Sequence, residues 1–213
     1  MRQVTQLHKL YDSLQKKHGA PLLRPIYGAG CIDSPAAMFV FMNPTGRNIS
    51  SHPDWGGLRA PWVGTRHVWD IFNELNLINT SLYDAIKLKQ QWDVRFTNLV
   101  YKDIESKSIF ITNLAKCTQL DARPLNNGVF RDYLDLMYQE IEMINPKKII
   151  TFGNQVSSVL LKKNISVSGY SGATCERLSV GGATYCVYPT HYPVGQGRRN
   201  MPLAIQRIRE ILR

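Results

Sequence analysis

Residues 37–46 have the sequence AMFVFMNPTG, in which an unbroken apolar run stops at an Asn-Pro dipeptide. A continuous apolar run of this length is typical of a strand that is covered on both faces, as in the parallel sheets of α/β proteins. Asn43, Pro44 and Gly46 then supply residue types that turns prefer. The stretch therefore predicts a buried strand that ends in a polar loop.

Further strands and helices are predicted on both sides of this segment. The other strand candidates are residues 108–112 (SIFIT), 148–152 (KIITF) and 183–188 (ATYCVY). Helices are predicted within residues 4–14, 68–77, 130–144, 154–163 and 205–212, whereas residues 79–106 have no clear pattern. Strands that alternate with helices indicate an α/β fold. We predict a single domain over residues 1–213, a three-layer α/β/α arrangement with a short, largely parallel four-stranded sheet.

Polar loops follow three of the four predicted strands, at residues 43–48, 113–118 and 191–200. In open parallel sheets, ligands bind beyond the carboxyl ends of the strands. We therefore expect the chemistry of the protein at these three loops.

The charge of the chain favours a polyanionic partner. Lysine and arginine number 26 against 16 acidic residues, which gives a net charge of +10. Such an excess favours a nucleic-acid partner, but a basic protein that binds no nucleic acid can carry the same net charge. The apolar runs are too short to cross a bilayer and the N-terminus lacks the apolar segment of a signal peptide. We expect a monomer without a membrane partner, in the cytoplasm or, in a eukaryote, the nucleus.

The four cysteines are not spaced as metal ligands. None of Cys31, Cys117, Cys175 and Cys186 belongs to a C-x-x-C pair. We expect reduced thiols and neither a metal nor another cofactor.

Four residues have a structural and a functional interpretation: three lie in these loops, and Trp62 precedes the second predicted helix. Asn43 serves either a turn or the presentation of its amide to a water and a substrate. Trp62, in the sequence PWVG, is either a core residue or a surface on which a base stacks. Asn113 either caps loop backbone or recognises the edge of a pyrimidine. His191 is structural or catalytic, and it precedes a small, basic loop that suits a phosphate backbone.

Together and in this order, these segments resemble the uracil-DNA glycosylase superfamily. The matching motifs cover most of the chain and lie at residues 41–46, 61–64, 111–117, 144–153 and 189–193. The second-strand and third-strand motifs are most similar to the iron–sulfur branch of the family. The Asn-Pro motif is more similar to the mismatch-specific and single-strand-selective branches.

The resemblance implies monofunctional excision of uracil or a related deaminated base from DNA. Asn43 and His191 are then catalytic: Asn43 positions a water, and His191 donates a hydrogen bond to O2 of the departing base. The implied base contacts are Met42, Trp62 and Asn113, and the implied DNA contacts are Thr45, Arg47, Arg198 and Arg199.

The chain also departs from the family pattern. It lacks the cysteines that the iron–sulfur branch requires, so we expect no cluster. Thr45 replaces a glycine, and His191 comes one place earlier than the family histidine. These departures indicate a divergent member. Two alternatives stay open: a non-catalytic nucleic-acid-binding module of the same fold, and a hydrolase that acts on free nucleosides or nucleotides.

Overall fold

The computed structural model has a central six-stranded sheet. It describes the backbone of residues 2–89, 91–123 and 125–213, and their side chains other than those of 2–5 and 196; residues 1, 90 and 124 of the predicted domain lie outside it. The strands are β1 (Ala29–Gly30), β2 (Ala37–Phe41), β3 (Ile109–Asn113), β4 (Ile149–Phe152), β5 (Glu176–Val180) and β6 (Ala183–Thr190). Their order across the sheet is β1-β3-β2-β4-β6-β5.

Eight α-helices accompany the sheet in the described part of the chain. They are α1 (Arg2–His18), α2 (Val68–Glu74), α3 (Thr80–Leu88), α4 (Val94–Ser106), α5 (Asn127–Asp132), α6 (Leu134–Ile144), α7 (Asn154–Leu161) and α8 (Met201–Leu212). Short 3₁₀ helices lie at Ile49–Ser51, Val167–Gly169 and Gly195–Asn200. Within the described residues, no helix combines the length and the apolar character needed to cross a membrane.

The helices cover both faces of the sheet. Along β2, Phe39 and Phe41 pack into one apolar cluster with residues of α2, α3, α4 and α8. Met38 and Val40 point the other way and pack with residues of α1, α5, α6 and α7. This alternation follows from the two-residue period of a strand. The fold is therefore a three-layer α/β/α sandwich, as the sequence predicts.

The four central strands, β3, β2, β4 and β6, run parallel to one another. Phe41 pairs with Asn113, and Phe152 pairs with Thr190. The carboxyl ends of these strands therefore meet at one edge of the sheet, and the polar loops that follow them leave the sheet together.

The prediction of four strands is wrong, because the sheet has two more at its edges. β1 has only two residues and pairs antiparallel with β3. β5 pairs antiparallel with β6 through the turn at Gly181 and Gly182, whose φ angles are both positive. Its sequence, ERLSV, alternates between polar and apolar residues, as suits an edge strand with one exposed face. Such short or half-polar strands give a weaker signal than the buried central strands.

Two helical predictions also change. Residues 79–106 contain α3 and α4, whose N-termini are capped by the side chains of Asn79 and Asp93. The single helix expected over residues 130–144 is two helices, α5 and α6, which meet at Tyr133. Residue types that cap helices are present in the sequence, but the five residues between α3 and α4 interrupt the helical period.

Candidate active site

The strand ends bring Asn43, Asn113 and His191 to the same edge of the sheet. Asn113 is the last residue of β3, Asn43 follows β2 by two residues, and His191 directly follows β6. Neighbouring strands lie about 4.8 Å apart, so three spacings, about 14 Å, separate the ends of β3 and β6.

The loop after β2 is joined to the loop after β3 by main-chain hydrogen bonds. The amides of Leu114 and Ala115 donate to Phe41 O and Met42 O at 2.8 and 3.0 Å. Farther along, Gly46 N donates to Gln119 O at 2.7 Å. The Asn43 side chain is half-buried, and its Nδ2 donates to Pro44 O at 3.1 Å. Asn43 therefore stands on a loop whose position is fixed by its neighbour.

The side chain of Asn113 is buried but has an unpaired donor. The residue is 2% exposed, and Nδ2 has no hydrogen-bond partner among the described residues. Leaving a buried donor unpaired costs about 1–3 kcal/mol, and native proteins contain few such groups. Because Asn113 pairs with Phe41 in register, its side chain points to the same face of the sheet as Phe41. This arrangement is expected of an amide whose donor binds a ligand.

Trp62 lies on the same face and has a strained backbone. Its φ angle is 67°, in the left-handed region that non-glycine residues avoid. The half-buried indole meets the ring of Phe41 edge-on, with the centroids 5.0 Å apart. Its Nε1 is buried and has no hydrogen-bond partner in the part of the chain that the structure describes. The conformation is held by hydrogen bonds from the amide and hydroxyl of Thr65 to Trp62 O. Strained backbone of this kind occurs mainly at functional sites, so Trp62 is a candidate for a role besides packing.

Phe41, Phe152 and Tyr192, which have no predicted role at the site, form an aromatic group next to Trp62. Phe41 stacks on Phe152 with the ring centroids 4.3 Å apart. Tyr192 meets Phe41 edge-on at 6.5 Å, and burial raises the pKa of its hydroxyl to about 12. The Tyr192 hydroxyl is therefore protonated at neutral pH. In the sequence, the position of Tyr192 directly after His191 is what points to a place at the site.

The loop after β6 is anchored at its start and is exposed farther along, at Gly195, Arg198 and Arg199. Gly153 N donates to Thr190 O at 2.8 Å, and His191, which follows, is half-buried. A Cβ on Gly197 would lie 2.1 Å from the main-chain oxygen of Tyr192, so the loop can fold back only with glycine there. Arg198 and Arg199 are exposed. The loop therefore presents its cations to solvent beside the strand ends.

The remaining residues of the predicted site lie around this edge. Arg47 is exposed, and Thr45 is half-buried and forms a bridge with Gln119. The side chain of Met42 packs against the apolar cluster on the opposite face from Trp62. Met42 therefore presents main-chain atoms, rather than its side chain, to the face that carries Trp62 and Asn113.

Comparison with known families decides the relationship. The model of the uracil DNA glycosylase superfamily matches residues 40–213. The chain belongs to the uracil-DNA glycosylase superfamily. A search of curated proteins found no match.

Residues that precede the matched region form hydrogen bonds with the superfamily domain. Gln15, on α1, accepts a hydrogen bond from Thr118 N at 2.8 Å. Ala20 N donates to Thr118 O at 2.9 Å, and Ile26 N donates to Lys116 O at 3.0 Å. In this member of the superfamily, the segment before the matched region therefore holds the loop that follows Asn113.

The cysteines of this superfamily member are free thiols. Cys117 is buried, and Cys31, Cys175 and Cys186 are half-buried. In the described part of the chain, no three histidine, cysteine, aspartate or glutamate side chains form a group that could hold a metal ion. Burial raises the pKa of Cys117, which keeps this thiol protonated.

Proposed function

We propose that the protein is a monofunctional DNA glycosylase, which hydrolyses the N-glycosidic bond of uracil or a related deaminated base in DNA. The observation that carries the proposal is the buried, unpaired amide of Asn113, on the same face of the sheet as the strained Trp62. In a member of the uracil-DNA glycosylase superfamily, a donor without a partner at the strand ends suits a base that enters from outside.

Base recognition uses Asn113 and Trp62. Uracil has a donor, N3–H, between the two acceptors O2 and O4. The Asn113 amide donates from Nδ2 to O4 and accepts from N3–H at Oδ1, which satisfies the unpaired donor. The flipped base stacks on the indole of Trp62, a contact worth about 1–3 kcal/mol for a base on an aromatic side chain.

Hydrolysis uses Asn43 and His191. Asn43 orients a water for attack on C1′ of the sugar, while the bond between C1′ and N1 of the base breaks. An amide is not a strong base, so the rate enhancement comes from orientation and electrostatics. His191 donates a hydrogen bond to O2 as negative charge develops on the departing base, and a neutral imidazole is sufficient for this. The products are the free base and an abasic site.

DNA is held by the basic residues around the strand ends. Arg47, Arg198 and Arg199 are exposed there, and the chain carries a net charge of +10. Contacts of arginine with phosphates position the duplex without sequence information. Thr45 narrows the approach to the base, since it stands where a glycine would leave more room.

The test is excision from a 5′-labelled oligonucleotide with a single uracil, compared with thymine and cytosine oligonucleotides of the same sequence. We expect strand breakage at uracil only after alkali, and the same amount of breakage in EDTA. Asn43→Ala should lose the activity, while Asn98→Ala, at an exposed asparagine of α4, should retain it. This pair excludes a contaminating glycosylase.

Other outcomes contradict the proposal in different ways. Breakage before alkali means that the enzyme is also a lyase. Tight binding of the uracil oligonucleotide without breakage means a non-catalytic binding module. Release of uracil from deoxyuridine, with none from DNA, means a nucleoside hydrolase.

A further inference from the structure

A buried polar network lies directly behind Asn113, on the other side of the sheet. The ammonium of Lys116, which is 1% exposed, contacts Glu140 Oε2 at 2.7 Å and donates to Asn113 O at 2.6 Å. It also donates to Thr112 Oγ1, whose hydroxyl donates to Glu140 Oε2 at 2.9 Å. All three protons of the ammonium therefore have an acceptor.

This network is too enclosed for Lys116 to be a nucleophile. Desolvation lowers the pKa of the lysine, and the Glu140 carboxylate opposes that shift. A lysine with a lowered pKa in a glycosylase suggests Schiff-base chemistry. Here the ammonium is sealed among buried residues on the face opposite to Trp62, and every proton is engaged. Lys116 does not reach C1′ of a bound nucleotide.

Stability alone is also a weak reason for this ion pair. Removing two charges from water costs free energy that their attraction often fails to recover, and an apolar pair of similar volume is often as stable or more so. The network does have one geometric consequence. It fixes the carbonyl of Asn113, one bond from the Cα that carries the unpaired amide.

We propose that Lys116 is a positioning residue for base recognition: with Glu140 behind it, it fixes the main chain at Asn113 and thereby the direction of the Asn113 amide. This inference rests on the function proposed above. Because none of the described residues offers Nδ2 a hydrogen bond, the backbone and packing orient the amide before a base arrives. Leu114 N, bonded to Phe41 O at 2.8 Å, holds the main chain after Asn113, and Lys116 holds the carbonyl.

The test replaces the ion pair by apolar residues in the double variant Lys116→Met/Glu140→Leu. Single-turnover excision of uracil should slow by about 10–100-fold, since a displacement of 1 Å in a reacting geometry costs about 100-fold. Affinity for an oligonucleotide that lacks the lesion should not change. The matched control is Lys163→Met/Glu176→Leu, which removes an ion pair of 2.5 Å at the edge strand β5 and should leave the rate unchanged.

A second measurement separates positioning from stability. The double variant should unfold cooperatively and be folded at the temperature of the assay, and its side-chain amide resonances of Asn113 should shift or broaden in NMR spectra. A folded double variant with the wild-type excision rate overturns the inference, whatever its Asn113 resonances. If the double variant does not fold, Lys116→Gln/Glu140→Gln, which removes the ammonium but keeps polar side chains, is measured against the same criteria.

The two proposals fail in distinguishable ways. If the wild type does not excise uracil, the proposed function is wrong, and the NMR comparison alone decides whether Lys116 orients Asn113. If the wild type excises uracil and the folded double variant does so equally well, only the role of Lys116 is wrong.

Discussion

The two outer ends of the candidate site, at Asn113 and at His191, are built in opposite ways. The end of β3 is held from three sides: by β2 through the register of Phe41 and Asn113, by the ammonium of Lys116, and by Gln15 at the following loop. The residues around Asn113 are buried. The end of β6 is held at Thr190, but the chain then enters a loop with two glycines, in which Gly195, Arg198 and Arg199 are exposed.

The difference matches the two tasks that a DNA glycosylase performs. Recognition of one base needs donors and acceptors fixed before the base arrives, because reorganisation would cost part of the binding free energy. Contact with the phosphate backbone tolerates movement, since it depends on charge more than on direction. The β3 end is therefore suited to selectivity and the β6 loop to capture of DNA.

The first prediction concerns the β3 end of the site and removes the ammonium that holds it. Lys116→Met leaves Glu140 buried without a counter-ion and should lower the free energy of unfolding by about 3–5 kcal/mol. Arg199→Ala, in the exposed loop, should change it by less than about 0.5 kcal/mol. Urea unfolding followed by circular dichroism measures both. A loss below about 1 kcal/mol for Lys116→Met would mean that the β3 end is not held as described.

The second prediction concerns the two residues proposed as catalytic, one near each end of the site. Asn43→Ala and His191→Ala should each slow single-turnover excision of uracil by about 10²–10³-fold, the usual loss for one positioned hydrogen-bonding group. DNA affinity should stay nearly unchanged, because both groups act mainly in the transition state. Wild-type rates for both variants would refute the mechanism.

The third prediction concerns the stacking surface beside Asn113. Trp62→Ala should weaken capture of the flipped base by about 1–3 kcal/mol, the free energy of stacking on an aromatic ring, and should also slow excision. Fluorescence of a 2-aminopurine next to the uracil reports base flipping. Trp55→Ala, at the other half-buried tryptophan of the same loop region, is the control and should leave flipping intact. Equal effects of the two changes would assign Trp62 to packing alone.

The fourth prediction concerns the exposed loop. Arg198→Ala and Arg199→Ala should each reduce the slope of log affinity against log salt by about 0.9 on duplex DNA if each arginine contacts one phosphate. Selectivity for uracil over cytosine should not change. Arg177→Ala, on the exposed face of β5, is the control and should leave the slope as in the wild type. An unchanged slope in the loop variants would remove this loop from the DNA interface.

The same contrast between regions limits what the sequence can predict of the fold. The central strands were recognisable because each is a continuous apolar run, and the polar loops after three of them marked the functional edge. β5 gives a weak pattern because only two of its five residues are apolar, and β1 gives none because two residues have no period. The sequence therefore predicts the buried central strands more reliably than the edge strands.

The site was predictable in its residue types but not in its electrostatics. Asn113 stood out as a polar residue after a buried strand, yet its unpaired amide depends on which groups happen to surround it. Lys116 gave no signal, because lysine is seldom buried and its partner Glu140 lies 24 residues away on another element. Partners of this kind are fixed by tertiary packing rather than by local pattern.

The central claim is that Asn113 recognises the base edge, and Asn113→Asp tests it most directly. The change replaces the Nδ2 donor by an oxygen, which suits the N4 amino group of cytosine and not O4 of uracil. Single-turnover excision from matched uracil and cytosine oligonucleotides should show a loss of about 10²–10³-fold for uracil and a higher ratio of cytosine to uracil excision. Asn98→Asp, the same change at an exposed position of α4, should alter neither. Wild-type excision of uracil by Asn113→Asp would contradict the account.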